Sequence, residues 1–561
     1  MNVNNVKKYK SITLHTIGNK SLLGYIPVDF LTDFKSNMNS INEITLEIPK
    51  FNGKDNDIFS TYDDIREERY LCLDREEYFV IKNIKESNGV KIVTAFSSEK
   101  KLSRMDIEVE DIYFTLDESA HNDEMFIIYL GKYLYDETGW NLRTISSSVK
   151  YNFINTLEDI LNGSNPIIDT SSSKIRYQEN VNTNWYDFIT KDIAEQFGCF
   201  PIFISKTKEI DLLSEDDFGD ELQLFLSYDN YIKSLEKEGS TENICTRLTL
   251  KGNEELTILE VTPTGYKFVE NFDYFINNGE MSDDLILAIN LYNSMLNERR
   301  ITWLQLVDQK NETQERYNTL NTELFFIFTK IKSLELEIST YENLSGTEEI
   351  VAKKKVELEK YKTDKDVKTV DINVLYDQLQ ALTSSILNIQ MLCRRETSTD
   401  KNGNRIFNQS TLDELKEFVY HDTYANDSYT DPKLLLQRGL YEVKNKSFPI
   451  ITWNIDVLNF LDKLEDNGFR QHWNGELNLG DMIYLRGKYN DDCIIYIIGY
   501  TIDYKNNKLM LELSNKRSEV DGFKKIGDRL TESKQALRKI NGKQYLLNRQ
   551  KYNRINLDYK K

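Results

Sequence analysis

The chain has 561 residues, of which 40% are hydrophobic and 29% are charged, a balance typical of a globular protein and unlike that of a disordered one. This length predicts three to five domains at roughly 150 residues each. The formal net charge of −20 disfavours nonspecific nucleic-acid binding, because an acidic surface repels phosphate groups. The longest apolar runs fall far short of the roughly 20 residues that cross a bilayer, so we expect no membrane span.

Short alternating segments dominate residues 11–103 and predict β-strands. Residues 41–48 read INEITLEI, in which apolar and polar residues alternate. Residues 78–84 and 90–96 flank an Asn-Gly turn, a pattern typical of a β-hairpin. We therefore predict a first β-barrel-like domain over residues 1–110.

The pattern becomes mixed over residues 111–235. Residues 123–138 and 185–197 have helical spacing of apolar side chains, and Gly198 is a typical helix end. A β-like run follows at residues 199–204. This part of the sequence predicts a lateral α/β domain beside the first barrel.

A heptad pattern then interrupts the β-rich sequence. Apolar residues recur at alternating spacings of three and four from Tyr317 to Tyr341, and again from Ile372 to Ile389. A polar break at residues 342–349 separates the two runs. Two such helices joined by a break predict an antiparallel coiled-coil hairpin.

We place this hairpin at residues 282–395, with its first helix beginning near Asp283. Two interpretations remain open: the helices pack only on each other, or they also self-associate or dock a partner, because a two-helix hairpin leaves one flank poorly buried. The residues predicted to form the seam between the helices are Leu320, Leu324, Ile327, Ile331, Leu334, Ile338, Leu375, Leu379, Leu382 and Ile386.

A helical connecting region is predicted over residues 396–446. Residues 411–419 and 431–445 have helical spacing, and the second helix has Asp431 as N-cap with Pro432 at the first helical position. This region leads the chain from the hairpin back to strands.

Strand patterns over residues 447–520 predict the remainder of a second β-barrel-like domain. Its first part is assigned to residues 236–281, which contain the strand-like NICTRLTLK, on the other side of the hairpin. The predicted fold class is therefore α+β and multidomain. It combines two β-barrel-like domains, a lateral α/β domain and an inserted antiparallel helical hairpin.

The last segment, residues 521–561, is a basic tail. It carries twelve Lys or Arg against four Asp or Glu, a net charge of +8, so the preceding 520 residues carry −28. The tail is interpreted either as a solvated or helical segment, or as one that meets an acidic partner such as DNA or an acidic protein surface. The candidate contact residues are Lys534, Arg538, Lys539 and Lys543.

The sequence contains no recognisable motif for chemistry. The four histidines form no metal-binding spacing, and no nucleophile elbow or phosphate-binding loop occurs. Five dispersed cysteines without a CxxC pair predict free thiols in a reducing cytoplasm. His421 with Asp422 is interpreted as a polar surface pair, and the acidic run at residues 214–220 as a solvated turn. We predict no catalytic residue, metal or cofactor, and no enzymatic activity.

Five short stretches follow one another in an order that is shared with a known family. They are EYFVIKNIKESNG at residues 77–89, NICTRLTLKG at 243–252, YANDSYTDPKLLLQRG at 424–439, LNLGDMIYL at 477–485 and DYKNNKLMLELSN at 503–515. In this order, over most of residues 40–520, the chain resembles the bacteriophage tail-associated baseplate hub family. That family includes prophage endopeptidase tail proteins and phage minor structural proteins.

The resemblance implies a virion protein that is made in the host cytoplasm and placed at the tail tip or baseplate. It implies a homotrimer in which two hub barrels per subunit form a ring around a lumen. The implied partners are a distal tail protein ring, the tape-measure protein and receptor-binding proteins or fibres. The ring would close the tail tube and open for DNA, which is only passing cargo.

Two features depart from the family pattern. The sequence ends soon after the second barrel, so we expect no C-terminal peptidase or lysozyme domain, and the hairpin lies within the fold rather than after it. Two alternative functions stay open: a tail-associated cell-wall-degrading enzyme, and a receptor-binding adhesin that uses the helical hairpin.

Overall fold

A computed structural model describes most of the chain, namely residues 9–38, 40–52, 57–109, 112–178, 181–229, 231–458, 477–486 and 492–517. The chain divides into two compact units. Unit 1 comprises Met1–Asn152, Thr170–Glu242 and Pro449–Lys561. Unit 2 comprises Phe153–Asp169 and Asn243–Phe448. The basic tail predicted at residues 521–561 lies outside the described residues.

The described strands vary in length from two to twelve residues. In chain order they are β1 Ile12–His15, β2 Leu22–Ile26, β3 Leu31–Asn37, β4 Ser40–Pro49, β5 Phe51–Asn52, β6 Asp57–Ile58, β7 Tyr70–Leu73, β8 Glu77–Ser87, β9 Val90–Ser97, β10 Asp106–Val109, β11 Ile112–Thr115, β12 Ile127–Tyr129, β13 Asn141–Ile145, β14 Tyr151–Phe153, β15 Ile168–Ser173, β16 Ile175–Gln178, β17 Val181–Asn184, β18 Phe200–Ile204, β19 Glu209–Leu213, β20 Glu221–Leu226, β21 Ile232–Ser240, β22 Arg247–Lys251, β23 Phe268–Glu270, β24 His421–Ala425, β25 Ile450–Leu458, β26 Met482–Arg486, β27 Asp492–Asp503 and β28 Lys508–Ser514.

Two of the α-helices are far longer than the rest. In chain order the helices are α1 Leu130–Thr138, α2 Ser147–Lys150, α3 Leu157–Asn162, α4 Trp185–Asp187, α5 Ala194–Phe197, α6 Asp273–Asn277, α7 Asp283–Glu342, α8 Glu348–Leu392, α9 Gln409–Glu417 and α10 Pro432–Lys446. The chain is therefore α+β and multidomain, with several sheets and one long helical region.

A 13-stranded sheet forms the main body of unit 1. Its strand order is β2-β1-β7-β8-β9-β4-β3-β27-β28-β25-β21, and β26 joins β20 to β27. Strands from the two predicted barrel regions therefore share one sheet, through the pairing of β3 with β27. The described pairings give an open order from β2 to β21, and closure into two barrels stays a prediction.

Close packing at one glycine marks the junction of β3 with β27. Gly499 pairs with Asn37, and the Asn37 amide donates to the Glu512 carboxylate at 2.8 Å. A side chain at Gly499 would lie 2.8 Å from Glu512 Oε2 and 2.9 Å from Asn37 Nδ2. Beside this contact the rings of Phe34 and Tyr500 stack at 5.8 Å and are fully buried. Glycine lets the two strands approach while the aromatic pair closes the core between them.

A second close approach holds the LNLGD stretch of the sequence against the turn before β20. The Asp481 carboxylate accepts backbone hydrogen bonds from Asp220 at 2.9 Å and Asn478 at 2.6 Å. Burial raises the pKa of Asp481 to about 6, although these backbone hydrogen bonds lower it. Gly219 and Gly480 adopt positive φ angles of 79° and 88° at this point. Asp481 and the two glycines therefore hold two loops of unit 1 together, and we call this contact the loop lock.

The lateral part of unit 1 surrounds a separate core that contains Trp185 and Phe188. The helix predicted at residues 185–197 is present as α4, a π-helical segment Phe188–Ile193 and α5, and it ends at Gly198 with a φ of +67°. Two three-stranded sheets, β12-β11-β16 and β13-β19-β18, belong to this part.

The prediction of a single helix over residues 123–138 is wrong for the first part of this range. The Asn122 side chain caps a short 3-10 turn, Asp123–Met125, and Phe126 then takes a left-handed conformation with φ of +54°. This conformation ends the turn, and β12 precedes α1. Apolar spacing alone did not reveal the break because Phe126 is neither Gly nor Pro.

Unit 2 is built on a small three-stranded sheet with the order β23-β22-β24. The β22 strand, assigned from the sequence to the second barrel, pairs here with β23 and β24 and not with the main sheet. Helix α10 packs against β22 so closely that a side chain at Gly439 would lie 2.1 Å from Leu250 Cδ1. The hairpin formed by α7 and α8 continues from this compact part of unit 2.

Replacement of Gly219 by Ala tests the loop lock. The new Cβ would lie 2.1 Å from the Gly480 carbonyl oxygen, and the φ of +79° is itself unfavourable for alanine. We expect a loss of about 2 kcal/mol or more in the unfolding free energy of unit 1, measured by denaturant unfolding of the full chain.

Gly18→Ala is the matched control, since nothing lies within 4 Å of a Cβ at Gly18. It should unfold like the unmodified chain. Equal stability of the Gly219 and Gly18 variants would contradict the lock.

Candidate functional site: the helical hairpin

The hairpin begins at a capped helix end. The Ser282 hydroxyl accepts a hydrogen bond from the Leu285 backbone at 3.2 Å, and it donates to the Glu414 carboxylate at 2.6 Å. The other oxygen of Glu414 accepts from the Ser282 backbone at 2.8 Å. Asp283 and Asp284 follow in the first turn, where negative charge favours a helix start. The predicted start near Asp283 is confirmed.

The structure places all ten predicted seam residues on the inner faces of α7 and α8. Five of them are buried and five are half-buried. The buried ones are Ile331, Leu334, Ile338, Leu379 and Ile386. Their common inward position follows from the spacing of three and four, which keeps one stripe of each helix toward its partner.

Polar contacts show that the two helices keep one register along the hairpin. Five of them join α7 to α8: Arg299 with the Leu392 carbonyl, Glu323 with Lys368, Lys330 with Glu357, Glu337 with Lys354, and Glu342 with Lys355. From the contact of Arg299 to that of Glu323 and then to that of Glu337, the first helix advances by 24 and 14 residues, and the second helix recedes by the same 24 and 14. The register does not slip, as a continuous antiparallel coiled coil requires.

The second helix starts earlier than the second seam predicted from the sequence. Helix α8 begins at Glu348, whereas the recognised apolar run began at Ile372. Lys354 and Lys368 occupy inward positions in the missing stretch, and their ammonium groups pair with α7 carboxylates. Leu358 continues the heptad and is buried against Ile331, Leu334 and Ile338. Heptad counting back from Ile372 through the lysines would have found this part of the helix.

A buried charge network fixes the base of the hairpin. The Arg395 guanidinium pairs with both oxygens of Glu270, one at 3.0 Å, and Arg247 Nε donates to the same carboxylate at 2.6 Å. The side chains of Arg395 and Glu270 are only 12% and 10% exposed. Burial alone lowers the pKa of Arg395, but the charge of Glu270 and its hydrogen bonds outweigh burial and raise it. The network therefore ties the end of α8 to β22 and β23.

Apolar packing and backbone hydrogen bonds complete the base. The buried Gln390 amide donates to the carbonyls of Leu259 at 2.9 Å and Thr262 at 3.0 Å. The Tyr292 hydroxyl donates to the Cys393 carbonyl at 2.7 Å. Trp303 is fully buried in the core around β22. The first turns of α7 and the last turns of α8 are thus part of the core of unit 2.

The outer half of the hairpin exposes large apolar side chains. Phe325 and Phe326 are 68% and 66% exposed, and Leu336 and Val356 are 70% and 72% exposed. These residues lie off the inner seam, and sequence reasoning did not single them out. Exposed aromatic and aliphatic groups of this size are typical of surfaces that meet another molecule.

The structure also shows where the other residues discussed from the sequence lie. His421 lies on β24 with its Nε2 atom 2.7 Å from the Thr249 hydroxyl, and Asp422 lies 3.4 Å from the Lys446 ammonium. Within the described ranges, no group of three or more His, Cys, Asp or Glu side chains is placed to hold a metal ion. Of the helices that the structure describes, none is long and apolar enough to cross a membrane. The predicted contact residues of the basic tail, Lys534, Arg538, Lys539 and Lys543, lie outside the described residues.

Comparison with curated proteins gives a prophage relative. No family model matches the chain. The chain is 23% identical over 367 residues to the SPbeta prophage-derived uncharacterized protein YomG of Bacillus subtilis (strain 168), covering 62% of this chain and 40% of that protein. It thus spans about 40% of the length of this relative. The match agrees with the phage origin that the sequence resemblance implies.

Solved structures of three tail proteins align with most of the chain. Prophage tail protein gp18 of Listeria monocytogenes EGD-e is 11% identical, with 93% of this chain and 99% of that chain covered and a TM-score of 0.41. The 43 kDa tail protein of prophage MuSo2 from Shewanella oneidensis is 8% identical, with coverage of 91% and 99% and a TM-score of 0.40. The tail protein of Neisseria meningitidis MC58 is 7% identical, with coverage of 90% and 96% and a TM-score of 0.36. TM-scores of this size do not establish a common fold.

Replacement of Glu270 by Gln tests the charge network at the hairpin base. The change leaves the mostly buried Arg395 without its carboxylate, for which we expect a local loss of about 3 kcal/mol. Hydrogen exchange at the end of α8 and at β23 should then be faster by about 100-fold, measured by mass spectrometry on the full chain.

Two variants serve as controls for this experiment. Glu349→Gln removes an exposed pair with Lys353 and should leave exchange unchanged. Glu270→Gln combined with Arg395→Met should recover part of the protection, because the more deeply buried arginine charge is removed and only the more exposed Arg247 is left without its carboxylate. Unchanged exchange in the Glu270 variant would show that the network does not hold the base.

Proposed function

We propose that the chain is a structural protein of a bacteriophage or prophage tail, placed at the tail tip or baseplate. The observation that carries this proposal is the match over 367 residues to a prophage-derived protein. The family-like stretches support it further, because they coincide with structural features of this chain. LNLGDMIYL contains the Gly480–Asp481 lock, and DYKNNKLMLELSN forms the turn between β27 and β28.

Within the tail, the proposed role is that of a trimeric hub ring that closes the tail tube and opens for DNA. The pairing of β3 with β27 supports this role, since it links two β-rich regions of one subunit in a single sheet. A ring with two linked β-regions per subunit gives six similar positions from three chains, which would match a six-fold distal tail ring. The tape-measure protein and receptor-binding proteins or fibres are further proposed partners, with DNA as passing cargo.

The hairpin is proposed to project from this ring or to brace it. Its base belongs to the core of unit 2, whereas its outer half has an apolar cluster made only of α7 and α8 residues. A second candidate function is attachment to the host through the hairpin. The high exposure of Phe325 and Phe326 favours this candidate, because aromatic side chains often anchor recognition surfaces.

Inactivation of the gene tests directly whether the chain is a structural protein of the tail. We expect that inactivation of its gene in the phage or prophage yields heads without complete, infective tails, seen by electron microscopy of induced lysates. Resupply of the full chain from a plasmid should restore the tails. Normal tails and normal infectivity without the chain would contradict the proposal.

A variant with a shortened hairpin tests whether the outer half of the hairpin is needed to form the ring. Removal of residues 310–381, closed by an Asn-Gly turn, cuts both helices at matching levels of the register and keeps the base. We expect the variant to fold and to keep the trimer, with a solution mass near three times that of one chain, because the base residues are untouched. Tails should still assemble.

Failure of the shortened chain to form trimers or tails would show that the outer hairpin builds the ring. The full-length variant Phe325→Ser with Phe326→Ser is the control that retains the hairpin but lacks its exposed aromatics. Loss of host attachment in both variants, with tails intact, would favour the adhesin function.

A further inference from the structure

Two lysine side chains lie over two tyrosine rings in unit 1, and the charge of a third lysine acts on one of these two lysines. The Lys20 ammonium lies 3.7 Å from the ring centre of Tyr78 and 5.3 Å from that of Tyr70. The Lys101 ammonium lies 4.6 Å from the same Tyr70 ring, so the two ammonium groups are less than 10 Å apart. Lys208 is close enough that its positive charge acts on Lys20. We call Lys20, Lys101 and Lys208 the lysine trio.

Distant parts of the sequence bring the trio together. Lys20 lies in the turn between β1 and β2, Lys101 in the 3-10 helix Ser98–Arg104, and Lys208 in the turn between β18 and β19. The Tyr78 backbone donates to Ser205 Oγ at 2.9 Å and fixes the third turn beside β8. His15 Nδ1, 2.8 Å from the Lys20 carbonyl, orders the first turn. All three lysines are half-buried rather than free on the surface.

No ion pair with a described carboxylate compensates the trio. None of the three lysines forms an ion pair with a described carboxylate, whereas many other lysines of the chain do. Burial raises the pKa of the Cys72 thiol and of the Tyr78 hydroxyl, so neither group supplies an anion at neutral pH. Burial and then the charges of Lys208 and Lys101 lower the pKa of Lys20, as expected for like charges held together.

Such an arrangement is unfavourable without a counter-ion. The chain carries 91 acidic residues, yet none of the described ones forms an ion pair with the three ammonium groups. The rings of Tyr70 and Tyr78 stabilise the cations only in part, and Tyr70 is itself 4% exposed and forms the floor of the site. An external anion would remove the repulsion between the lysines.

We propose that the lysine trio is a binding site for a phosphate monoester or inorganic phosphate. The combined positive charge of Lys20, Lys101 and Lys208 suits a doubly charged anion with several acceptor oxygens, and lysine binds phosphate as a point charge without a need for planar geometry. One carboxylate would balance only one of the three charges. A nucleic-acid backbone fits less well, because the trio is one compact spot on a chain with a net charge of −20. The site is independent of the proposed tail function.

Titration calorimetry of the full chain with inorganic phosphate tests the site, in buffers matched for ionic strength with chloride. We expect one binding site per chain, and glycerol 3-phosphate should compete for it. The triple variant Lys20→Gln, Lys101→Gln, Lys208→Gln should bind phosphate at least about tenfold more weakly, because charge-assisted hydrogen bonds are lost. Lys206→Gln, an exposed lysine in the same turn as Lys208, should bind like the unmodified chain.

Thermal unfolding provides a second readout that does not depend on heat of binding. Phosphate should raise the melting temperature of the unmodified chain and of the Lys206 variant above its value in chloride. The triple variant and the milder single variant Lys20→Gln should show a smaller rise or none. Equal phosphate effects in all variants, or no phosphate binding by the unmodified chain, would overturn the proposal. Binding of a DNA duplex through the trio without binding of phosphate would overturn it in favour of a nucleic-acid surface.

Discussion

Glu270 pairs with two arginines at the base of the long hairpin, where the chain returns to the rest of unit 2. Helix α7 has 60 residues, so the chain travels about 90 Å away before α8 brings it back. Any slip in register between the helices would misplace Arg395 by several ångströms. The Glu270 contacts with Arg247 and Arg395 therefore depend on the constant register, and they hold the return point against β22 and β23. This dependence makes the hairpin an integral part of unit 2.

Contacts between distant parts of the sequence also hold unit 1 together. Residues from the two ends of the sequence pair at β3 and β27, and Gly499 allows the close approach of those strands. The buried Asp481 carboxylate joins a turn near residue 220 to the LNLGD stretch. Each contact links segments that are hundreds of residues apart in the chain. The hairpin insertion in unit 2 does not interrupt the continuity of the sheet in unit 1, because the chain re-enters that sheet at β25.

Local periodicity was enough to predict the hairpin from the sequence. The seam residues, the helix start near Asp283 and the Asp431-Pro432 helix start all follow from spacing or from capping chemistry. Strand partners were harder, since alternation shows that Leu248 and Leu250 lie in a strand but not which sheet that strand joins. β22 consequently pairs within unit 2 and not with the predicted second barrel.

Sequence reasoning missed features that depend on contacts between distant segments, on unusual local geometry or on polar residues within a heptad pattern. Glu270 and Arg395 are 125 residues apart, and the lysine trio comes from two turns and a 3-10 helix. The first turns of α8 were missed because lysines occupy inward positions of the heptad there. The helix expected from residue 123 was wrong at its start because Phe126 adopts a left-handed conformation. The phage tail-associated resemblance, by contrast, came from short stretches in a shared order and is supported by a prophage-derived relative.

The central proposal is that the chain is a structural protein of a phage tail. Its most direct test is immuno-electron microscopy of particles in which the chain carries an epitope after Gly346, the exposed turn residue between α7 and α8. The account predicts antibody label at the tail tip of intact, assembled particles. Particles that lack the chain, or label found on the head alone, would contradict it.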